Sequence, residues 1–208
     1  MARVVNIHPE SPQSRLLVQA AEFIRDGGVV ALPTDSCYAL CCHLGDKEAM
    51  DRIRQIRQID DRHHLTLMVR DLSEIAHFAR VDNAQYRLLK ATTPGSYTFI
   101  LEGTKELPRR VLHPKRKTIG LRVPDHPVAL ALLAELNEPL LTTTLQLPGD
   151  EYPLTEGWEI QDRLDDHLEL ILDAGGCGTE PTTVIDLTGS APELVRAGRG
   201  ALAPFGLE

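Results

Sequence analysis

The sequence contains no long hydrophobic run. No apolar stretch in its 208 residues approaches the ~20 residues that a membrane-spanning helix needs. The N-terminus carries a single basic residue and lacks the apolar segment of a signal peptide. We therefore expect a cytoplasmic protein without membrane contact. Its hydrophobic content of 42% and charged content of 25% are ordinary for a globular chain, so the chain can bury a sizeable core.

Cysteine is scarce, and the usual metal and nucleotide motifs are missing. The four cysteines, Cys37, Cys41, Cys42 and Cys177, form no C-x-x-C pair, and there is no H-E-x-x-H. We expect buried small side chains at these positions and no metal site built by the protein. A P-loop and a G-x-G-x-x-G are also lacking. The glycines of segment 175–178 are explained by a turn between strands, so a bound nucleotide would have to be held mainly by side chains.

Acidic residues outnumber basic ones, but the excess is unevenly placed. The net charge of −8 argues against a general nucleic-acid binder. Residues 50–125 nevertheless carry 15 basic and 9 acidic side chains, and segment 105–122 holds seven cations and one anion. That density suits a polyphosphate or a nucleic-acid backbone, but a charge run taken alone is more typical of a solvated surface.

Arg122 differs from the other cations because it follows an apolar stretch, Thr118-Ile-Gly-Leu. An arginine near the end of a buried strand needs an anionic partner. Its planar guanidinium suits phosphate and carboxylate groups. The candidate anion-binding arginines are Arg57, Arg62, Arg122 and Arg196.

Segment 27–40 is the most informative part of the chain. The apolar run Val29 to Leu32 predicts a buried strand, which ends at Pro33 because proline cannot donate to a sheet. The polar residues that follow, 34–36, are then delivered to the rim of a sheet, where they suit a small zwitterion such as an amino acid. A plain polar turn between two strands is the alternative interpretation.

Helical and strand patterns alternate over most of the sequence. We expect a first helix capped by Ser11 and closed by Gly27, and further helix starts at Asp46, Asp71 and Asp82. The later helices are predicted at 83–91, 126–136 and 158–167. The later strands are predicted at 65–69, 97–101, 119–123, 140–144, 168–172, 183–187 and 194–196. This indicates one α/β domain over residues 1–208 with a mixed sheet, since strict βαβ alternation fails late in the chain.

Threonines cluster at two predicted strand ends, in Thr142-Thr-Thr144 and Thr182-Thr183. Ligand crevices in open α/β sheets form at strand ends, so these hydroxyls are candidate ligand contacts. Threonine also favours strands by propensity, which leaves a purely structural explanation open.

Several blocks resemble the YrdC/YciO family, and the details are closest to its YciO branch. The blocks are Pro33-Thr-Asp-Ser-Cys-Tyr-Ala-Leu40, Pro94-Gly-Ser-Tyr-Thr98, Thr118-Ile-Gly-Leu-Arg-Val-Pro-Asp-His126, Thr182-Thr-Val-Ile-Asp186 and Arg196-Ala-Gly198. Their order and spacing agree over nearly the whole chain. The resemblance implies a twisted α/β fold of the YrdC/RibB type around a deep basic cavity.

The resemblance also implies a nucleotidyltransferase activity. Family members make threonylcarbamoyl-AMP from L-threonine, bicarbonate and ATP with Mg²⁺, release pyrophosphate, and so supply the modification of adenosine 37 in certain tRNAs. Binding of double-stranded RNA or tRNA is also described for the family. A monomer and a homodimer are both open.

Residue roles follow from the matched positions. Arg122 matches the arginine expected to hold the substrate carboxylate, and with Arg57 it forms the implied catalytic pair. The positions near the amino acid are Thr34, Tyr38, Arg122, Thr142 and Thr182. The positions near the nucleotide are Arg57, Thr118, Thr144, Tyr152 and Arg196. We expect no further C-terminal domain, so loops such as 149–155 would have to close the cavity.

The chain departs from the synthase signature at two places. The Lys-x-Arg pattern reads Arg57-Gln58-Ile59, which removes one cation, and the Ser-x-Asn pattern reads Thr144-Leu145-Gln146. Losing a cation should weaken binding of a triphosphate, unless Arg62 or His64 compensates. Three hypotheses therefore remain: an active synthase, an RNA-binding or ribosome-associated protein with little catalysis, and an enzyme that adenylylates another substrate.

Overall fold

The computed structural model describes residues 1–63 and 65–208. Within these residues, ten strands form one mixed sheet, and six α-helices pack around it. The strands are β1 (Arg3–Asn6), β2 (Val30–Leu32), β3 (Ala39–His43), β4 (Thr66–Met68), β5 (Tyr97–Glu102), β6 (Thr118–Arg122), β7 (Leu140–Thr144), β8 (Leu170–Asp173), β9 (Thr183–Asp186) and β10 (Glu193–Arg196). The helices are α1 (Ser14–Arg25), α2 (Lys47–Arg57), α3 (Leu72–Phe78), α4 (Asn83–Thr92), α5 (Pro127–Leu136) and α6 (Gly157–Leu164).

The sheet runs in the order β1-β8-β2-β3-β7-β4-β6-β5-β9-β10. Strand β8 is parallel to both β1 and β2, while β3 is antiparallel to both β2 and β7. Farther along, β4 and β6 are parallel, and so are β5 and β9. The predicted α/β class with a mixed sheet is confirmed.

Two apolar cores cover the sheet because successive strand residues point to opposite faces. In β2, Val30 and Leu32 join the core that contains the buried face of α1 and the apolar side of α5. Between them, Ala31 joins the second core, which contains the buried side chains of α2. The sheet is therefore the middle layer of the molecule.

The core formed with α1 and α5 covers only part of its face of the sheet, and the cavity lies where this cover ends. Met68 of β4 and Leu140 of β7 are paired across the strands and belong to the α1–α5 core. Two residues away on the same face, Thr66 and Thr142 are paired in the same register and line a cavity. The sheet face thus changes from apolar core to hydroxyl-lined cavity within one side-chain repeat.

Helix starts follow the expected caps at three places and depart from them at one. Asp46, Asp71 and Asp82 each accept a hydrogen bond from the backbone of the following turn, as predicted. The first helix instead begins at Ser14 after the N-cap Gln13, so the prediction of a cap at Ser11 is wrong. The reason is local: the backbone N–H of Ser11 donates to the His8 ring, which fixes a turn ahead of the helix.

Candidate active site

The cavity measures about 330 Å³ and is lined by residues from seven strands and from the end of α2. It contains four arginines (Arg57, Arg62, Arg122 and Arg196) and seven serine or threonine side chains (Ser36, Thr66, Thr98, Thr142, Thr143, Thr144 and Thr182). None of the described residues that line it is acidic, although the whole chain carries a net charge of −8. Such a lining favours an anionic ligand with several hydrogen-bond acceptors.

The segment between β2 and β3 forms a closed polar turn. Thr34 is buried, and its hydroxyl donates to the carbonyl of Cys37 at 2.6 Å and accepts from the backbone N–H groups of Ser36 and Cys37. Because this hydroxyl is occupied by its own turn, Thr34 shapes the wall without lining it. Ser36, Cys37 and the fully buried Tyr38 line the cavity instead.

Arg122 lies at the end of β6 and has the anionic partner that its burial demands. Its Nη2 donates to Oδ1 of Asp35, and the other carboxylate oxygen of Asp35 accepts a hydrogen bond from Ser96 Oγ at 2.8 Å. The two charged side chains are only 7% and 12% exposed. Burial lowers the pKa of Arg122, and the nearby Asp35 carboxylate opposes that shift.

Arg57, the last residue of α2, is held against the end of β7. Its Nη1 donates to the carbonyl oxygen of Thr144 and lies 3.3 Å from Oγ1 of Thr143. Its Nε is buried and has no hydrogen-bond partner in the described part of the chain. Burial, followed by the positive charge of Arg196, lowers the pKa of Arg57.

Arg196 approaches the cavity from β10. Its Nε and Nη2 donate to the carbonyl oxygen of Thr182 at 3.1 and 2.8 Å, and Nη2 also lies 3.2 Å from the Thr182 hydroxyl. That hydroxyl is 2.8 Å from the hydroxyl of Thr98. Burial lowers the pKa of Arg196. The two guanidinium groups of Arg57 and Arg196 therefore share one cavity without a carboxylate in its described lining.

Two further titratable groups line the cavity. Desolvation, and then the charges of Arg57 and Arg196, lower the pKa of His63. Burial raises the pKa of the Cys37 thiol to about 11, so the thiol is protonated at neutral pH. Cys37, Cys41 and Cys42 are all buried and unpaired. The described residues include no group of three or more His, Cys, Asp or Glu that could hold a metal ion.

Seven of the sequence-predicted site residues converge on this cavity, namely Tyr38, Arg57, Arg122, Thr142, Thr144, Thr182 and Arg196. Three do not line it. Thr34 is closed into its turn, Thr118 lines a separate surface groove with Asp186, and Tyr152 is 58% exposed. The roles proposed for all ten residues stay predictions.

Compensation for the missing signature cation, by Arg62 or by His64, stays a prediction. Arg62 lines the cavity, whereas His64 lies outside the described residues. Gln146, at the altered second signature, lines the cavity too. Its amide, however, donates to the backbone carbonyls of Asp150 and Glu151, at 2.9 and 3.3 Å. Gln146 thus anchors the 149–153 loop.

The cation-rich segment divides between two places. Arg122 lies in the cavity, but the other six cations of segment 105–122 are exposed on the connection between β5 and β6. These are Lys105, Arg109, Arg110, Lys115, Arg116 and Lys117. The density of positive charge read from the sequence is therefore mainly a feature of the outer surface.

Among the cavity or cavity-supporting residues that sequence reasoning missed are Thr66, Thr98, Gly120 and Ser96. Thr98 and Gly120 alternate with the core residues Phe99 and Leu121, so the period of two in β5 and β6 is the signal that could have identified them. No local pattern identifies Ser96, whose role depends on a contact with the distant Asp35.

Comparison with known proteins gives a consistent result. The family model Sua5_yciO_yrdC, described as "Telomere recombination", matches residues 22–198. Escherichia coli YciO, whose name assigns no activity, is 55% identical over 99% of this chain and 100% of its own length. Its crystal structure superposes with a TM-score of 0.96.

More distant relatives carry a named activity or ligand. A threonylcarbamoyl-AMP synthase of Chromobacterium violaceum is 31% identical, over 86% of this chain and 92% of its own length. The crystal structure of P. abyssi Sua5 complexed with L-threonine matches with a TM-score of 0.87 and 26% identity, covering 95% of this chain and 58% of the Sua5 chain. No helix among the described residues is long and apolar enough to cross a membrane.

Proposed function

The chain belongs to the Sua5/YciO/YrdC family, and we propose that its cavity binds ATP and L-threonine and synthesises threonylcarbamoyl-AMP. The observation that carries this proposal is the cavity lining, in which the buried Arg122, the half-buried Arg57, the more exposed Arg196 and a set of threonines meet without an acidic side chain among the described residues. A site of this composition is poorly suited to a cation and well suited to a carboxylate and a polyphosphate.

The chemistry requires two anions to be held together. The amine of L-threonine captures bicarbonate or CO₂ to form a carbamate. A carbamate oxygen then attacks the α-phosphorus of ATP, the bond to the bridging oxygen breaks, and pyrophosphate leaves with that electron pair. Positioning the reactants and neutralising their charge are the main tasks of the protein, so a covalent nucleophile is not needed.

Three of the four cavity arginines are given roles that fit their positions. Arg122 faces the carboxylate of the amino acid, and Arg57 and Arg196 face the phosphates. Mg²⁺ enters with ATP as part of the substrate, held by phosphate oxygens, because the described lining offers no carboxylate ligand. The threonine hydroxyls orient the two substrates through hydrogen bonds.

Pyrophosphate release with single amino acids tests the proposal. Purified protein is incubated with ATP, Mg²⁺, labelled bicarbonate and one amino acid at a time, and release that depends on L-threonine is the expected result. Release with a different amino acid would identify another adenylylated substrate and overturn the choice of threonine. An Arg122→Ala control should abolish release while the protein stays folded.

A second function, RNA binding, is favoured by the outer surface. Six exposed cations lie on one connection between β5 and β6, outside the cavity. We propose that this segment contacts the phosphate backbone of double-stranded RNA or tRNA, and that binding weakens steeply with salt. Absence of pyrophosphate release together with salt-dependent RNA binding would favour this function as the principal one.

A further inference from the structure

We propose that Asp35 and Ser96 are positioning residues that hold Arg122 in the orientation needed to receive the carboxylate of the substrate. This inference depends on the proposed function for the identity of that carboxylate. It assigns a role to three segments far apart in the sequence: the β2–β3 turn, the residues before β5 and the end of β6. Neither Asp35 nor Ser96 is among the described residues that line the cavity, so both would act through Arg122.

The three side chains form a chain of hydrogen bonds. Ser96 Oγ donates to Oδ2 of Asp35 at 2.8 Å, and Arg122 Nη2 donates to Oδ1. Each carboxylate oxygen therefore has its own donor, which fixes the plane of the Asp35 carboxylate. A guanidinium that donates to a fixed carboxylate is itself restricted, because the hydrogen bond is directional.

The contact with Asp35 uses only part of the donor capacity of Arg122. Its Nε is buried and has no hydrogen-bond partner in the described residues. Arg122 itself lines the cavity, and only 7% of its side chain is exposed. The printed hydrogen bond to Asp35 engages Nη2, so other N–H groups of the same guanidinium are left to meet a carboxylate that enters the cavity. A buried donor without a partner is unusual in a folded protein, and the second cavity arginine, Arg57, shares this feature at its own Nε.

Two other roles for Asp35 predict different behaviour. As a general base, it would have to accept a proton with an oxygen that already accepts a hydrogen bond from a cation or a hydroxyl, which disfavours protonation. As a competitor, it would occupy Arg122 until a ligand displaced it, and its removal would strengthen carboxylate binding. If Asp35 instead positions Arg122, removal of the Asp35 carboxylate weakens binding of a ligand carboxylate and leaves binding of an uncharged analogue nearly unchanged.

The test compares L-threonine with L-threoninamide, which lacks the negative charge. Both affinities are measured by calorimetry for each protein, and their ratio, L-threonine over L-threoninamide, is the preference for the carboxylate form. Ser96→Ala and Asp35→Asn should lower this preference at least about fivefold while leaving the affinity for L-threoninamide nearly unchanged. Ser96→Thr, which keeps the hydroxyl, should restore most of it. A preference that rises in Asp35→Asn, or that stays unchanged in both variants, would overturn the proposal.

Ser73→Ala is a matched control because Ser73 Oγ also donates to an aspartate, Oδ1 of Asp71 at 2.6 Å, on the exposed start of α3. This variant loses the same kind of hydrogen bond and should keep the wild-type preference. If Asp35→Asn fails to fold, Ser96→Ala alone decides, because it removes only a hydroxyl.

A ligand-free measurement separates this inference from the proposed function. In protein labelled with ¹⁵N-arginine, the Nε–H signal of Arg122 is assigned by its loss in Arg122→Lys. A protected signal is expected in the wild type, with faster solvent exchange in Ser96→Ala and unchanged exchange in Ser73→Ala. Equal exchange in all three would refute positioning even if threonine binds. Faster exchange in Ser96→Ala without any threonine binding would keep the positioning role and reject only the proposed substrate.

Discussion

Arg196 lies close enough to Arg57 within the cavity for its positive charge to contribute to the lowered pKa of Arg57. Each guanidinium is held by backbone oxygen, Arg57 at Thr144 and Arg196 at Thr182. Like charges repel, so the fold keeps two cations together at a cost that an anionic ligand would relieve. This relationship motivates the first two predictions.

Arg196→Gln should weaken ATP binding at least about tenfold, because a hydrogen bond to a charged group contributes about 1.5–3 kcal/mol. The change is expected in the dissociation constant measured by calorimetry. Arg15→Gln is the matched control, since Arg15 is exposed on α1 and does not line the cavity. Equal losses in both variants would indicate a general charge effect and contradict a specific phosphate contact.

His63 should titrate with a pKa below 6.5 in the free protein and with a higher pKa when pyrophosphate is bound. Desolvation and the cations Arg57 and Arg196 disfavour the protonated ring, and an anion beside it reverses the charge effect. The lowered pKa also makes stability depend on pH. As the pH falls below 6.5, His63 binds a proton more readily in the unfolded chain than in the folded protein, so the free energy of unfolding decreases.

Proton NMR of the imidazole checks this second prediction, and His63→Gln assigns the signal. A pKa that falls, or does not move, on addition of pyrophosphate would show that the anion does not bind near Arg57 and Arg196.

Gly120→Ala should reduce both ligand affinity and thermal stability. A Cβ at this position would lie 2.9 Å from Thr98 Cγ2 and 3.4 Å from Thr66 Oγ1, on the floor of the cavity. Overpacking of this kind typically costs about 1–3 kcal/mol. Gly189→Ala is the control, because its nearest atom would be at 3.7 Å, an ordinary contact. Denaturant unfolding and ATP titration of the two variants measure the difference.

Gln146→Asn should release the 149–153 loop. The shorter side chain cannot reach the carbonyls of Asp150 and Glu151, which Gln146 now holds. Hydrogen exchange is expected to rise in this loop and to stay unchanged in α5. Protection of the loop equal to that of the wild type would show that the Arg163–Asp150 ion pair suffices to hold it.

Local signals in the sequence were sufficient for many elements. The aspartate caps at 46, 71 and 82 act within one turn of helix, and β7 was predicted with its observed limits, Leu140–Thr144. Strand β1 was missed because its four residues show no clear alternation, and it depends on pairing with β8 from the other end of the chain.

Long-range contacts limited what could be predicted of the site. The apolar surroundings of Arg122 correctly required an anion, but they could not say that Asp35, 87 residues away, would supply it. The threonines of β7 were expected at a strand end, whereas Thr142 lies on the sheet face beside the core residue Leu140. Whether a strand residue faces core or cavity depends on where the covering helices stop.

The alternation in β5 and β6 has an evolutionary consequence. Phe99 and Leu121 support the interior, while Thr98 and Gly120 shape the floor of the binding cavity. Substitutions at the second set therefore act first on which ligand is accepted, and they cost stability only where a larger side chain meets a close neighbour, as at Gly120. One architecture can therefore diverge in chemistry by exchanging every other side chain along a few neighbouring strands.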